Sequence, residues 1–387
     1  MLTNAKAGSG AARPGFVGNP ARRLSDAVCV VLLCFLPQPS WLLADDLPPV
    51  ETFEMGPWTL YAAREPFRVS WFHKGKLAYA ERYRRGETSI QVLKGGRWIP
   101  AGPAKAITRE SDGHVAARVE IPGVGTVSVE LTASSSEAGA LARWSVDAPG
   151  ADAVRDEIVP APGEEIFAVS GTPRLAISSR GYAIWVSGVV GSKVTSMAPD
   201  PDSCRVEAGG QRLAVEIWPA SPKEALKRRA LAAEKGAKAA LLEPAALEVK
   251  DWASLRAVTA SILADSLSTA GVGKIVLAGA AKEGELHARA QAVIDGVQAN
   301  GGGRVTPLFV EYPDEREAWR SRDEWLIGAD TLIAPVLRQS ERRRKVWLPP
   351  GNWRRQGTTH SGDPVVRGPA WIEAEVPLGE AALFIRS

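Results

Sequence analysis

Apolar and polar residues alternate along residues 53–218 in short runs, which are separated by Gly, Pro, Ser and Asp. A period of two places every second side chain on the same face of a strand, and the separators are typical turn residues. Six runs show the alternation: PFRVSWF (66–72), HVAARVEI (114–121), TVSVELTA (126–133), LARWSVDA (141–148), YAIWVSG (182–188) and LAVEIW (213–218). The pattern predicts an antiparallel β-sandwich for the first half of the chain.

The pattern changes at Ser221. SPKE supplies an N-cap serine, a proline at the first helical position and a glutamate that completes a capping box, so an Ala- and Lys-rich helix is predicted to about Ala240. A second helix is predicted from Asp251, as its cap, to about Gly271. Its apolar face recurs at helical spacing, with Trp252, Leu255, Val258, Ile262 and Leu263.

Strands and helices alternate in the next segment. KIVLAGA (274–280) predicts a short buried strand, and Glu285 to Gln298 predicts an amphipathic helix, so βα units are expected here. The segment is too short to close a (β/α)8 barrel, which needs about 250 residues. After Val336 the chain returns to strand patterns, in KVWLP (345–349), AWIEAEV (370–376) and the final AALFIRS.

Residues 1–44 have the pattern of a secretory signal peptide. Arg22 and Arg23 precede the apolar run 27–36, and two prolines and LLA (42–44) follow it. The run is shorter than the roughly 20 apolar residues that span a bilayer. Asp26 and the long polar lead are atypical of a signal peptide and leave a buried strand or helix as the alternative. We expect a secreted or periplasmic protein with no membrane span after removal of the leader.

Composition and charge indicate a globular protein without a polyanionic partner. Of 387 residues, 45% are hydrophobic and 24% charged. The leader carries four of the 47 Lys and Arg residues and one of the 44 Asp and Glu residues, so cleavage after Ala44 would leave 43 of each. A balanced mature chain gives no reason to expect a nucleic-acid partner.

Cysteine and histidine usage disfavours a metal. Cys29 and Cys34 lie in the leader, which leaves Cys204 alone in the mature chain, so neither an internal disulfide nor a cysteine metal cluster can form. The four histidines form no HxxH or HExxH pair, and GVG (271–273) and GGG (301–303) lack the spacing of a phosphate loop. We therefore expect neither a metal nor a cofactor.

The segment RVTPLFVEYPDEREAWRSRDEWLIGADTLIAPVLRQSERRRKVWLPPGNW (304–353) resembles the closing signature of glycoside hydrolase family 31. These are the α-glucosidase-like enzymes, and the similarity is to their sulfoquinovosidase-like branch. Weaker similarity covers DWASLRAVTASILADSLSTAGVGKIVLAGA (251–280), which resembles a late barrel helix and the last barrel strand. PFRVSWFHKGKLAY and RGYAIWVSG resemble parts of the amino-terminal sandwich, and SPKEAL resembles the helix leading into the barrel.

The resemblance implies hydrolysis of O-glycosyl bonds in carbohydrate metabolism, on a β-sandwich, a catalytic (β/α)8 barrel and C-terminal β-domains. With the strand and helix patterns, it predicts a multidomain α and β chain. The predicted parts are the leader (1–44), an N-terminal antiparallel β-sandwich (45–220), a partial (β/α) barrel remnant (221–335) and a C-terminal β-sandwich module (336–387).

Retaining glycosidases use two carboxylates about 5–5.5 Å apart. The family's nucleophile lies on a middle barrel strand, and SPKEALKRRALAAEKGAKAALLEP joins the barrel entrance to the late helix without that region. The implied acid/base position falls on Leu247, after Ala246, and further sugar-contacting positions fall on Ala278, Gln298 and Asn300. No catalytic residue is predicted and the substrate-binding residues are unknown, so we interpret the chain as a degenerate or inactive homologue.

Two alternatives remain. An active α-glycosidase would need substitute carboxylates, for which Glu243, Glu248 and Asp251 lie near the acid/base position, or a partner subunit that completes the site. We expect instead that Asp251 caps its helix and that the two glutamates are solvated. The other alternative is a non-catalytic, lectin-like β-sandwich protein that binds carbohydrate. Acidic residues inside the family signature are expected to serve structure: Asp314, Asp323, Glu324 and Asp330.

Three further features each allow a simple structural explanation. The basic run RQSERRRK (338–345) matches a solvated turn better than a nucleic-acid surface. The thirteen tryptophans are expected to fill cores, although exposed ones could stack on sugar rings. Two βα units would leave open sheet edges and an apolar face, so we expect them to pack against the sandwiches or against a second subunit in an oligomer.

Overall fold

The computed structural model describes residues 50–81, 90–136, 139–161, 163–169, 174–187, 194–200, 203–236, 246–266, 274–302, 305–356 and 364–387. The predicted leader lies outside these residues. Within them the chain is mostly β-structure, with several sheets and few helices, which confirms the β-rich character expected from the sequence.

Seventeen strands and no helix occupy the described residues between 50 and 219. Each of the six alternating runs overlaps one of them. The strands are β1 (Val50–Met55), β2 (Trp58–Arg64), β3 (Phe67–His73), β4 (Lys76–Ala80), β5 (Gln91–Lys94), β6 (Arg97–Pro100), β7 (Ala104–Ser111), β8 (His114–Ile121), β9 (Gly125–Ser136), β10 (Gly139–Asp147), β11 (Ala153–Ile158), β12 (Ile166–Val169), β13 (Arg174–Ser178), β14 (Tyr182–Ser187), β15 (Val194–Asp200), β16 (Ser203–Gly209) and β17 (Arg212–Pro219).

These strands form three antiparallel sheets around one core. The strand orders are β1-β2-β3-β4, β12-β13-β14-β17-β10-β9-β8-β7 and β15-β16-β11-β5-β6. Trp71 from the first sheet, Trp144 from the second and Val206 from the third belong to the same buried cluster. The alternation is the cause, because every second residue of β8 turns inward while the others face water.

The eight-stranded sheet is covered on both faces at its β12–β14 end. Ala176 and Ile184 point into the first core, whereas their neighbours Leu175, Ile177 and Ala183 point into a second core. The second core also contains the helices and the C-terminal strands. Because one sheet serves both cores, residues Pro48–Ser387 form one compact unit.

Five α-helices follow in the described residues: α1 (Pro222–Gly236), α2 (Trp252–Ser266), α3 (Gly284–Gly302), α4 (Leu308–Glu311) and α5 (Arg316–Arg320). The capping box is confirmed at α1, where the Ser221 backbone N–H donates to Glu224 at 2.8 Å and the Glu224 N–H donates to Ser221 Oγ at 3.3 Å. The predicted helix ends at Ala240 and Gly271 lie outside the described residues.

Two short parallel strands lie between these helices, β18 (Leu247–Val249) and β19 (Ile275–Leu277). The strand predicted over 274–280 is therefore too long. Gly279 adopts a φ of +54° and opens a 3-10 helix, Gly279–Lys282, because a positive φ ends the extended conformation. The following helix, α3, is longer than the predicted 285–298.

The C-terminal part is a six-stranded antiparallel sheet with the order β20-β21-β22-β25-β23-β24. Its strands are β20 (Val305–Pro307), β21 (Trp325–Ile327), β22 (Thr331–Pro335), β23 (Arg343–Gln356), β24 (Val366–Glu375) and β25 (Ala381–Arg386). KVWLP and AWIEAEV lie on β23 and β24, as predicted. The domain boundary predicted between residues 335 and 336 divides this sheet, because β20, β21 and β22 precede it and β23, β24 and β25 follow it.

The helices pack against both β-rich parts rather than leaving an apolar face open. Val249 of β18 and Leu255 of α2 share the second core with Phe167 of β12. Arg289 of α3 is fully buried and donates to the carbonyl oxygens of Pro377 at 2.9 Å and Glu341 at 2.7 Å, which ties α3 to the C-terminal part. Among the described residues, no helix has the length and apolar character needed to cross a bilayer.

Candidate functional site

In proteins built from βα units, the active site lies at the carboxyl ends of the parallel strands, which here are β18 and β19. The register pairs Leu247 with Ile275 and Val249 with Leu277, so both strands end side by side. The Ala278 N–H donates to the Val249 carbonyl oxygen at 2.8 Å and holds the two ends together. Lys250 and Asp251 follow the first strand, and Ala278 and Gly279 follow the second, so these four residues define the candidate site.

Asp251 is the carboxylate among those four residues, and it caps helix α2. Its Oδ1 accepts the Ser254 backbone N–H at 2.6 Å, and Ser254 Oγ in turn accepts the backbone N–H groups of Lys250 at 2.9 Å and Asp251 at 2.8 Å. These bonds confirm the predicted cap. Hydrogen bonding by Ser254 lowers the pKa of the Asp251 carboxyl below its usual value. A general acid needs the opposite shift, so Asp251 holds no proton to donate at neutral pH.

Leu247 stands at the position that the family resemblance assigns to the acid/base. It is half-buried, and its side chain packs against the second core. Its backbone N–H donates to the Lys274 carbonyl oxygen at 2.8 Å, which anchors the start of β18. The structure therefore gives Leu247 a packing role, and its side chain has no group that could donate a proton.

The remaining sugar-contacting positions offer little polar chemistry in the described residues. A Cβ on Gly279, next to Ala278, would lie 3.6 Å from the Lys250 carbonyl oxygen, so the two strand ends approach closely through backbone. Gln298 is exposed on α3, and the side chain of Asn300 lies outside the described residues. Among the described side chains at these positions, Gln298 is the polar one.

The two candidate substitute carboxylates among the described residues, Glu248 and Asp251, lie in different surroundings. Glu248 is exposed in the middle of β18, where its register partner is Val276 of β19, also exposed. Asp251 is engaged with Ser254, and Glu243 lies outside the described residues. Within the described part of the chain, no three His, Cys, Asp or Glu side chains group in a way that could hold a metal ion.

Glu324 has the most perturbed carboxyl of the signature segment, and its role is structural. Burial raises its pKa to about 8, although Arg344 opposes this shift. Its Oε1 accepts from Arg344 Nη2 at 3.0 Å, and both carboxyl oxygens accept the Trp347 backbone N–H at 3.2 Å. A raised pKa can mark a catalytic acid. Glu324 is only 1% exposed, however, and it joins β21 to β23, so it has no access to a substrate.

The arginines of the basic run 338–345 pair with acidic residues. Arg342 pairs with Glu285 at 2.7 Å, Arg343 with Glu375 at 2.6 Å and Arg344 with Asp323 at 3.2 Å. Residues 339 and 340 form a turn between β22 and β23, and residues 343–345 already belong to β23. Side chains that are engaged in this way leave little free positive charge for a polyanion.

The sequence analysis missed several buried polar groups. Tyr79 donates to Asp156, and Ser178 and Tyr182 both donate to Glu164, whose pKa is raised by burial. All of them lie in the β-rich N-terminal part. The available signal was a charged residue inside an apolar strand, as in AVRDEI (153–158), but the strand pattern does not reveal the partner.

Residues 301–387 match the model of the glycosyl hydrolase family 31 C-terminal domain. This part of the chain is similar to the C-terminal domain of glycoside hydrolase family 31. The resemblance drawn from residues 304–353 is thereby confirmed. Because the match lies in the six-stranded sheet and the end of α3, it identifies the part of the chain that contains Glu324 and not the strand ends at β18 and β19.

Two curated family 31 relatives show the same restriction. Alpha-glucosidase 2 of Bacillus thermoamyloliquefaciens is 45% identical over 53 residues, which are 14% of this chain and 7% of that protein. Sulfoquinovosidase of Agrobacterium fabrum is 38% identical over 84 residues, 21% of this chain and 12% of that protein. The matches therefore span about a tenth of the length of these relatives.

A family 31 sulfoquinovosidase from E. rectale, solved in complex with an aza-sugar inhibitor, is similar in structure, with a TM-score of 0.46 and 9% sequence identity. The match covers 83% of this chain and 96% of that one.

Proposed function

We propose that this chain is a family 31 homologue that does not hydrolyse glycosidic bonds. The observation that carries the proposal is the state of Asp251. It is the carboxylate at the ends of the parallel strands, and it is engaged as a helix cap with a lowered pKa. Retaining hydrolysis needs a nucleophile and a proton donor facing one anomeric carbon, and this arrangement supplies neither.

The proposal extends to the domain organisation. The three N-terminal sheets around one core support a β-sandwich over 45–220, and the parallel pair β18–β19 with α2 and α3 supports a barrel remnant within 221–335. The strands β23–β25 support a C-terminal β-module over 336–387. On this proposal the barrel has lost its middle units, and its remaining pieces are covered by the neighbouring β-structure.

A turnover assay tests the proposal. The full chain would be incubated with 4-nitrophenyl α-D-glucopyranoside and with 4-nitrophenyl α-sulfoquinovoside. Hydrolysis of either substrate releases 4-nitrophenol, which is followed by absorbance. We expect release no faster than in buffer. Release above buffer that Asp251→Asn or Glu248→Gln abolishes would establish an active α-glycosidase with substitute carboxylates. Asp251→Asn is the suitable variant because asparagine keeps the helix cap while removing the acid.

We also propose that residues 1–44 direct export and are removed, which would place the mature chain outside the cytoplasm. The order of basic, apolar and small-residue regions supports this. Expression in a bacterial host followed by intact-mass analysis of the periplasmic fraction tests it. A mature chain that begins after Ala44 is the expected result, and an uncleaved chain confined to the cytoplasm is the contrary one.

A further inference from the structure

Strand β24 carries an exposed tryptophan at the edge of the C-terminal sheet. The strand is last in the sheet order, and its residues alternate between solvent and interior. Arg367, Pro369, Trp371, Glu373 and Glu375 all lie on the solvent side. Trp371 is 51% exposed. The alternation places the side chain of residue 371 in water, but it does not require that side chain to be apolar. Exposing an indole ring to water is unfavourable.

Trp371 differs from the other tryptophans of the described residues. Eight of them are at most 2% exposed, and three more are half-buried. The eight are Trp58, Trp71, Trp144, Trp218, Trp319, Trp325, Trp347 and Trp353. The expectation that tryptophans fill cores is therefore confirmed for these eight. Among the described tryptophans, Trp371 fits the alternative expectation of an exposed ring that could stack on a sugar.

The edge of β24 is unsuited to pairing with a further strand. Pro369 has no N–H to donate to a ladder, and charged side chains at Arg367, Glu373 and Glu375 are typical of edges that resist strand addition. Along its own strand the same-face neighbours of Trp371 are Pro369 and Glu373, and its same-face partner Trp347 is buried, so the exposed apolar area is close to one indole. A stable protein interface needs about 800 Å² per partner. A small ligand fits this surface better than a protein does.

The strand that carries the indole is held closely against β23. Its register partner on β23 is Trp347, which is buried and packs edge-on against Tyr312 at a ring-centroid distance of 6.4 Å. The two strands approach closely at Gly368, where a Cβ would lie 2.7 Å from the Leu348 carbonyl oxygen and would also collide with Pro349. A ring held on a strand with this support is pre-organised for contact.

A negatively and a positively charged side chain lie next to Trp371 on the same face of the sheet, two residues further along β24 and β23. Glu373 pairs in register with Lys345, and both are exposed. Opposite residues of an antiparallel pair have Cβ atoms about 4.5–5.5 Å apart, and same-face neighbours follow within about 7 Å. A carboxylate acceptor and an ammonium donor therefore lie within reach of a ring stacked on Trp371.

We propose that Trp371 is a stacking platform for one hexopyranose ring of a carbohydrate, with Glu373 and Lys345 as partners for its hydroxyl groups. A pyranose presents C–H groups on a face and hydroxyl groups around its rim. The face matches the indole, and the rim matches the flanking acceptor and donor. The choice of a sugar rests on the proposed function, since it takes the ligand class from family 31. The site itself is separate from the ends of β18 and β19.

Affinity electrophoresis of the full chain tests the proposal, with native gels that contain glycogen or dextran. We expect the chain to be retarded in at least one of the two gels. Trp371→Ala should weaken the retardation about tenfold or more, whereas Trp371→Phe should keep part of it. Glu373→Gln should weaken it less than Trp371→Ala does. Leu378→Ala is the matched control, because Leu378 is also exposed, at 45%, and its loss should leave retardation unchanged.

Three results would overturn the proposal: unchanged retardation of Trp371→Ala, no retardation of the unmodified chain in either gel, or light scattering that shows Trp371→Ala dissociating an oligomer. The last would assign the ring to an interface between copies. Turnover measured on the same preparations separates this proposal from the previous one. If retardation depends on Trp371 and the chain also hydrolyses a substrate, only the proposed absence of catalysis is refuted. If the chain shows neither hydrolysis nor retardation, only the proposed stacking platform is refuted.

Discussion

Asp251 and Glu324 carry the same functional group in opposite environments. Asp251 is exposed, and hydrogen bonds from Ser254 lower the pKa of its carboxyl. Glu324 is 1% exposed, and burial raises the pKa of its carboxyl to about 8 despite the nearby Arg344. Hydrogen bonds favour the charged form and burial disfavours it, so side-chain surroundings decide what each carboxylate can do.

Adjacent arginines in the basic run are expected to differ strongly in their contribution to stability. Arg344 pairs with buried Glu324 at 3.0 Å, whereas the pair of Arg343 with Glu375 is more than half exposed. At about pH 9, Arg344→Met should lower the free energy of unfolding by about 3–5 kcal/mol, since it removes the buried partner that favours the ionised form of Glu324.

Arg343→Met is the matched control and should lower the free energy of unfolding by less than about 1 kcal/mol, because water screens an exposed pair. Urea unfolding of both variants provides the measurement. Equal losses in the two variants would contradict the account of Glu324 as a buried partner.

Glu324 should also make stability depend on pH. Its pKa is about 8 in the folded chain against a usual value of 4.5, so the folded chain binds this proton more tightly than the unfolded chain does. Its stabilisation is therefore complete below the usual value and is lost as the pH rises through about 8. Unfolding free energies at about pH 5, 7 and 9 should fall more steeply for the unmodified chain than for Glu324→Gln. Parallel slopes would show that Glu324 does not titrate in this range.

Residue-level chemistry was only partly visible in the sequence. The Asp251 cap followed from its place before an apolar helical face, and it is confirmed. The engagement of Glu324 by Arg344 and Trp347 was not specified, because the partners lie 20 and 23 residues away on another strand. Local patterns predict local bonds, and long-range partners depend on a register that the pattern does not fix.

At the scale of elements, helix starts were more predictable than strand boundaries. The starts of α1 and α2 carry side-chain caps that can be recognised in sequence, at Ser221 and Asp251. The three-residue strands β20 and β21 are too short to show a period of two, so they were missed. They nevertheless join the C-terminal sheet through pairing with β22 and its neighbours.

Asp251 offers a test of capping against catalysis. Asp251→Ala should lower the free energy of unfolding by about 1 kcal/mol through loss of the cap, whereas Asp251→Asn should leave it nearly unchanged. Thermal or urea unfolding followed by circular dichroism provides the measurement. Equal destabilisation by both variants would show that the charge, and not the capping oxygen, stabilises the start of α2.

At the scale of the whole molecule, the eight-stranded sheet links two cores. Leu131 lies in the first core and Leu255 in the second, and both are fully buried. The sequence predicted β-rich ends and a short helical middle, but it gave no sign that one sheet would be covered on both faces. The alternation of Leu175 and Ala176 into different cores needs both partners to be in place.

This sharing predicts one cooperative unfolding transition. Leu131→Ala and Leu255→Ala should each lower the free energy of unfolding by about 2–5 kcal/mol and shift the same transition, although they lie in different cores. Tryptophan fluorescence and far-ultraviolet circular dichroism should give coincident urea curves. Separate transitions, with each variant moving only one, would show that the two cores unfold independently.

We propose that the described part of the chain has no carboxylate able to attack an anomeric carbon. A retaining glycosidase forms a covalent glycosyl-enzyme intermediate, which a 5-fluoro-α-D-glucopyranosyl fluoride traps on the nucleophile. Intact-mass spectrometry of the full chain after incubation with this reagent would detect such an intermediate. We expect an unchanged mass, whereas a stoichiometric glycosyl adduct on an Asp or Glu side chain would show that the chain has a nucleophile.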